Sequence, residues 1–167
     1  IGDNWRKRYH SLALHNQIHV NHLPYLPFPP SWPKYIPKDM LANWFELYAD
    51  VMQVNFWTGT ELINANYDGR LNHWVATVRQ NNNSEKILKP KHIIFANGVS
   101  GIPYKPKLDG LCDFRGEVLH SEGFSNGAEW TGKRAAVLGT GNSWQDFPQD
   151  LHSNGVHTSM IKRGSST

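Results

Sequence analysis

The residues best equipped for chemistry lie between positions 135 and 144. Ala135-Ala136-Val137-Leu138 is a short apolar run that reads as a buried strand, and Gly139-Thr140-Gly141-Asn142-Ser143 follows it with two glycines. A glycine at 139 permits a tight turn, and one at 141 lets backbone approach a pyrophosphate. A helix starting behind such a turn offers free N–H groups and a partial positive charge to phosphate. An apolar-containing stretch, Phe147 to Leu151, then Gly155 and a second strand-like run, Val156 to Arg163, complete the pattern. Strand, glycine turn, helix and strand in about 30 residues is the length of one βαβ unit. The second strand ends Lys162-Arg163-Gly164-Ser165-Ser166. A site for NADH places an acid there to bond the ribose 2′-hydroxyl, whereas cations and hydroxyls suit a 2′-phosphate. NADPH is the nucleotide this ending selects.

Two residues oppose a regular unit. The place of a third glycine, which brings helix and strand close, is held by Trp144. Pro148 follows inside the expected helix, where proline costs about 3 kcal/mol unless the helix starts late or kinks.

Other segments carry weaker signals. Gly2-Asp3-Asn4-Trp5-Arg6-Lys7-Arg8 gathers a glycine, an indole and two arginines. Arginine forks and an indole face suit a planar anionic ligand, although a basic surface loop has the same composition. His15, His19 and His22 have helical i, i+4, i+7 spacing. The prolines from Pro24 onward end any helix there, and no cysteine or carboxylate ligand stands near, so no metal site is expected. His120 closes a strand-like run from Glu117.

The elements that must position these residues can be read in order. Leu23 to Pro37 is proline-rich and aromatic, hence extended and stiff. Asp39 to Met52 repeats apolar residues at three- and four-residue steps and reads as an amphipathic helix. Val54 to Asn97 reads as a three-strand meander. Its strands are Glu61–Tyr67, Trp74–Arg79 and Lys91–Ala96, the last apolar and buried, with turns at Asp68-Gly69-Arg70 and Asn81–Ser84. The fold class is α/β: 1–130 gives part of a first dinucleotide-binding domain with the meander, and 131–167 begins a second, Rossmann-like one.

Bulk properties set bounds. The 167 residues carry a net charge of +3 with scattered basic residues, so a nucleic-acid partner is not expected. One cysteine, Cys112, excludes a disulfide framework and fits a reducing compartment, with a cytoplasmic location expected. No apolar run approaches the ~20 residues of a membrane span. The chain starts at Ile1 without an initiator Met and stops just after a strand, and reads as a piece of a longer protein.

With these motifs assembled, the chain resembles the flavin-containing monooxygenases along its whole length. Phe114-x-Gly116-x-x-x-His120-x-x-x-Phe124 resembles the family fingerprint, with Ser125 where the family usually has Lys or Asp. Gly2-Asp3-x-Trp5-Arg6 is similar to the segment after the family's first FAD-binding unit. Ala96-Asn97-Gly98 is similar to its Ala-Thr-Gly turn, with Asn for Thr. Gly139-Thr140-Gly141-Asn142-Ser143 is similar to its NADPH turn, and Arg163 to its 2′-phosphate residue. The resemblance implies FAD and NADPH as cofactors, with a small-molecule substrate and O₂. NADPH reduces the flavin, O₂ adds to it, and the peroxyflavin oxygenates a soft nucleophile. It also puts His15 nearest to an Asn that many members keep beside the flavin. Two alternatives remain open: a truncated or decayed copy without catalysis, or a non-catalytic module that binds a protein partner through Leu23–Pro37.

Overall fold

A computed structural model of the chain describes residues 1–98, 102–139, 141–162 and 164. In chain order the main elements are α1 (Asp3–Arg6), α2 (Lys38–Val51), β1 (Thr60–Asp68), β2 (His73–Gln80), β3 (Glu85–Leu88), β4 (Arg134–Leu138), α3 (Asp146–Ser153) and β5 (His157–Ile161). The chain forms two compact units, one of residues 1–52 with 103–167 and one of 53–102.

The first unit has its main apolar cluster against α2. Phe28, Ile36, Leu41 and Trp44 are buried together, with Trp5, Leu14, Leu23, Leu26 and Trp32 packed on them. The proline- and aromatic-rich segment thus supplies its own helix with a cover. Stiff backbone lowers the entropy lost when that cover forms. Phe28 stacks on Trp32 and tilts against Trp44 at 4.6 Å. The N-terminal stretch is tied to the same helix: Leu14 N–H donates to the Ile36 carbonyl, and Lys38 N–H to that of Leu12. Helix α2 follows its apolar spacing, but Val51 is half-exposed while Lys38 is buried. The Lys38 ammonium is satisfied by the Arg6 carbonyl at 3.0 Å and Asp39 Oδ1 at 2.8 Å. A buried cation is tolerable only with such partners.

Strands β4 and β5 are parallel, with Arg134 opposite His157 and Leu138 opposite Ile161. This is the pairing expected of a βαβ unit. The expectation that Ala135–Leu138 is buried does not hold. Ala135 and Val137 are half-buried, whereas Arg134, Ala136 and Leu138 are exposed. A two-strand sheet with one helix has cover for one face only. That cover is α3, which buries Phe147, Pro148 and Leu151.

The second unit is the antiparallel sheet β1-β2-β3. Its core side is carried by the central strand, where Ala76 and Val78 are buried. The turn after Asp68 is held by that carboxylate, which accepts from the N–H groups of Arg70 and Leu71. The turn after Gln80 is held by Asn82, whose side chain accepts from Ser84, with Asn83 at φ +60°. Two strand expectations fail. The third meander strand is Glu85–Leu88, not Lys91–Ala96. The short turn returns the chain at once, and Glu85 meets Arg79 across the ladder at 2.9 Å. Ile94 and Phe95 are 88% and 71% exposed. No described residue pairs with them, and a strand without a partner is not a strand. Glu117–His120 is likewise irregular; His120 caps a 3₁₀ turn, Ser121–Gly123, instead.

Candidate functional site

The glycine turn stands at the C-terminal end of β4, the side where open α/β sheets take ligands. Gly139 has φ +121°, a conformation that side-chain-bearing residues avoid, and its N–H donates to the Ile161 carbonyl at 3.0 Å. A Cβ at Gly139 or Gly141 would meet nothing within 4 Å. The turn is therefore open, as close approach of a phosphate requires. Thr140 lies outside the described residues, as do Arg163 and Ser165. Lys162 is described and exposed.

Between the turn and α3 the backbone takes a 3₁₀ turn, Asn142–Trp144. The helix starts at Asp146, so Pro148 falls in its first turn. There a missing N–H costs nothing, since the first four helical N–H groups have no intrahelical partner. The expected break at Pro148 is absent for that reason. Trp144 ends the 3₁₀ turn, half-buried, and precedes the helix instead of lying within it.

Sequence reasoning missed what holds this segment. The Tyr9 side chain is buried and donates to Asp146 Oδ2 at 2.5 Å; Ser143 Oγ lies 3.3 Å from the same phenolic oxygen. His15 Nε2 stands 3.0 Å from that carboxylate oxygen. A carboxylate only accepts, so His15 presents Nε2–H. Phe147 meets the Tyr9 ring edge-on at 4.6 Å, and Phe124 lies 4.6 Å beyond Phe147. Burial, and then the bonded Asp146 carboxylate, hold the Tyr9 phenol well above the usual tyrosine range. The sequence offered no signal for this cluster beyond the types of its members, because Tyr9 and Asp146 are 137 positions apart.

The N-terminal candidates are placed differently. Gly2 and Asp3 open α1, which packs on α2. Trp5 lies against the main apolar cluster. The Arg6 guanidinium meets protein acceptors: Nη1 the Ile1 carbonyl, and Nη2 both Asn43 Oδ1 at 2.8 Å and Glu46 Oε2 at 2.6 Å. His120 Nδ1 accepts from Glu122 N–H at 3.2 Å, which fixes its ring. Ala96, Asn97 and Gly98 belong to the other compact unit. They are exposed, and Gly98 has φ +77° with open space where a Cβ would be. The structure thus brings His15 and Ser143 together through Asp146 and Tyr9. Gly2, Trp5 and Arg6 form a separate group on α2. Among the described residues no group of three His, Cys, Asp or Glu could hold a metal ion.

Residues 3–166 match the family described as flavin-binding monooxygenase-like. The chain belongs to that family. Indole-3-pyruvate monooxygenase YUCCA1 of Oryza sativa subsp. japonica is 30% identical over 164 residues, covering 98% of this chain and 39% of that protein. The probable indole-3-pyruvate monooxygenase YUCCA7 of Arabidopsis thaliana is 32% identical over 172 residues, with 99% and 39% covered. A flavin-containing monooxygenase from Stenotrophomonas maltophilia superposes with a TM-score of 0.83 at 23% identity, covering 98% of this chain and 47% of that one. This flavin-binding monooxygenase-like chain spans about two fifths of the length of the curated relatives it matches. No helix among the described residues is long and apolar enough to cross a membrane.

Proposed function

We propose that the whole protein is an FAD- and NADPH-dependent monooxygenase that uses O₂ to oxygenate a soft nucleophilic atom of a small organic substrate. The observation that carries this reading is the parallel β4–turn–α3–β5 unit with its glycines open, in a chain of this family. Residues 1–130 would serve the FAD part and 131–167 would begin the NADPH part. The protein would work in the cytoplasm, where its free, exposed Cys112 stays reduced.

The residues present fit a dinucleotide at the turn. Open glycines at 139 and 141 allow a pyrophosphate to lie against the backbone of 139–143. Lys162, Arg163 and Ser165 would take the 2′-phosphate by charge-assisted bonds. Gly98, equally open, fits the close approach of a flavin nucleotide at Ala96–Gly98. Gly2, Asp3, Trp5, Arg6 and His120 would shape the flavin side by backbone and packing, with Arg6 holding α1 in place. His15 beside the flavin remains part of the proposal on sequence position alone. Bound FAD and NADPH supply the redox chemistry; the chain orients them and excludes water.

The relatives' names include indole-3-pyruvate monooxygenases and, among similar folds, an S-allyl-L-cysteine S-oxygenase, so the substrate is assigned only to the class of small organic molecules. The test is anaerobic stopped-flow reduction of the flavin in the complete gene product. NADPH should reduce it much faster than NADH. Arg163→Ala should weaken NADPH by the ~1.5–3 kcal/mol of a charged hydrogen bond and leave NADH unaffected. A purified protein without flavin absorbance, or equal losses for both nucleotides, would overturn the reading.

A further inference from the structure

The segment between the glycine turn and α3 is a single 3₁₀ turn, Asn142–Trp144. Trp144 N–H donates to the Gly141 carbonyl at 2.9 Å, and Gln149 N–H donates to the Gln145 carbonyl at 3.2 Å. Two side chains of this segment, Ser143 and Asp146, converge on one buried phenol from the far N-terminus. That phenol is itself fixed. Tyr9 is 5% exposed and its ring is held edge-on by Phe147. The adjacent His10 N–H donates to the Ser125 carbonyl at 2.9 Å.

Asp146 also carries a charge in the first turn of α3. The helix dipole favours an anion there, and a pyrophosphate at the glycine turn draws on the same N-terminal field. An uncommitted carboxylate would therefore oppose the ligand. Here Oδ2 of Asp146 receives both the Tyr9 hydroxyl and His15 Nε2–H.

We propose that Tyr9 is a positioning residue for dinucleotide binding: through Ser143 and Asp146 it fixes the segment behind the glycine turn and keeps the Asp146 carboxylate engaged. This rests on the reading of 139–143 as the pyrophosphate seat. Tyr9 touches no substrate or cofactor in this role.

The test compares the complete, FAD-loaded gene product with its Tyr9→Phe, Asp146→Asn and doubly substituted forms. Phenylalanine keeps the ring and its contact with Phe147 and removes only the hydroxyl. In stopped-flow reduction, Tyr9→Phe should raise the NADPH dissociation constant about tenfold, the effect of losing one charge-assisted hydrogen bond. The limiting reduction rate should stay within about twofold, since positioning acts on binding. Asp146→Asn should weaken NADPH less, because the amide oxygen still accepts from Tyr9. The double form should be no worse than Tyr9→Phe alone, because both changes act through one bond. An unchanged dissociation constant in Tyr9→Phe, with or without lost thermal stability, overturns the positioning role, as do additive effects in the double form. Should Tyr9→Phe fail to fold, Asp146→Ala, which removes the acceptor altogether, takes its place, and unaltered NADPH binding in that form overturns the positioning role. Failure of the unsubstituted protein to bind NADPH is a different outcome: it removes the dinucleotide reading, and this inference with it.

Discussion

At Gly2 a Cβ would stand 2.5 Å from the Ala42 carbonyl oxygen; at Gly141 it would meet nothing within 4 Å. Both glycines sit in short turns whose composition suggests an anionic ligand. In the first, the missing side chain lets α1 approach α2, and the neighbouring Arg6 is engaged by Asn43 and Glu46. In the second, the missing side chain leaves space that no described protein atom fills. A glycine next to basic residues therefore says only that backbone must come close to something. Whether that something is the protein's own helix or a ligand is decided by what stands in front of it.

Four substitutions would break or sharpen that contrast. The largest effect is expected at Gly2→Ala. The left-handed φ of +80° and the backbone clash with Ala42 should together cost about 3 kcal/mol in urea denaturation. A cost below about 1 kcal/mol would show that α1 slides freely, and the two turns would then be alike.

Next comes Tyr9, which links the N-terminal stretch to the open turn. Its folded-state pKa is raised, so the folded protein holds this proton more tightly than the unfolded chain. The resulting stability is present below the unfolded value of about 10 and is lost as pH rises above it. Stability should fall by up to about 1.4 kcal/mol per pH unit from this group, and the steepness should diminish in Tyr9→Phe. Denaturation midpoints between pH 9 and 11.5, about the window where the phenol ionises in the unfolded chain, measure it. Identical pH slopes in the two proteins would mean that the phenol is not held as described.

Arg6→Ala removes an ion pair with Glu46 at 2.6 Å whose partners are 31% and 60% exposed. Such a pair contributes about 1 kcal/mol or less, and the loss should shrink in high salt. The loss should appear in stability, with flavin content unchanged if Arg6 serves α1 alone; lost flavin would return Arg6 to a direct role. The smallest stability effect, within about 0.5 kcal/mol, is expected at Gly141→Ala, whose φ of −68° any residue adopts. The same substitution should weaken NADPH about tenfold by intruding on the pyrophosphate. Unchanged binding would show that the open space is not used.

Much of the fold was legible because its signals are local. The α2 helix follows from apolar spacing, the hairpin turns from Asp68 and from Asn82-Asn83, and the parallel pair β4–β5 from two short runs flanking a glycine turn. Residues within one or two turns of each other set these features, so consecutive sequence suffices. Pro148 shows the limit of that locality. The same residue breaks a helix or begins one according to a boundary only a few positions away, and the 3₁₀ turn at 142–144 moved that boundary. Lys91–Ala96 shows another limit: its apolar composition fits a strand, but strand pairing needs a partner that composition does not name.

The sequence by itself determined the α/β class, the glycine turn and its likeness to a nucleotide-binding family, since periodicity and motif spacing are properties of neighbours. Tertiary structure alone decided that Gly2 is filled and Gly141 open, that Lys38 is buried on the Arg6 carbonyl, and that Tyr9, His15, Ser143 and Asp146 meet. Each of those facts depends on atoms brought together from distant positions. The free energy of burial and of hydrogen bonding is fixed by the neighbours in space, not by the neighbours in the chain.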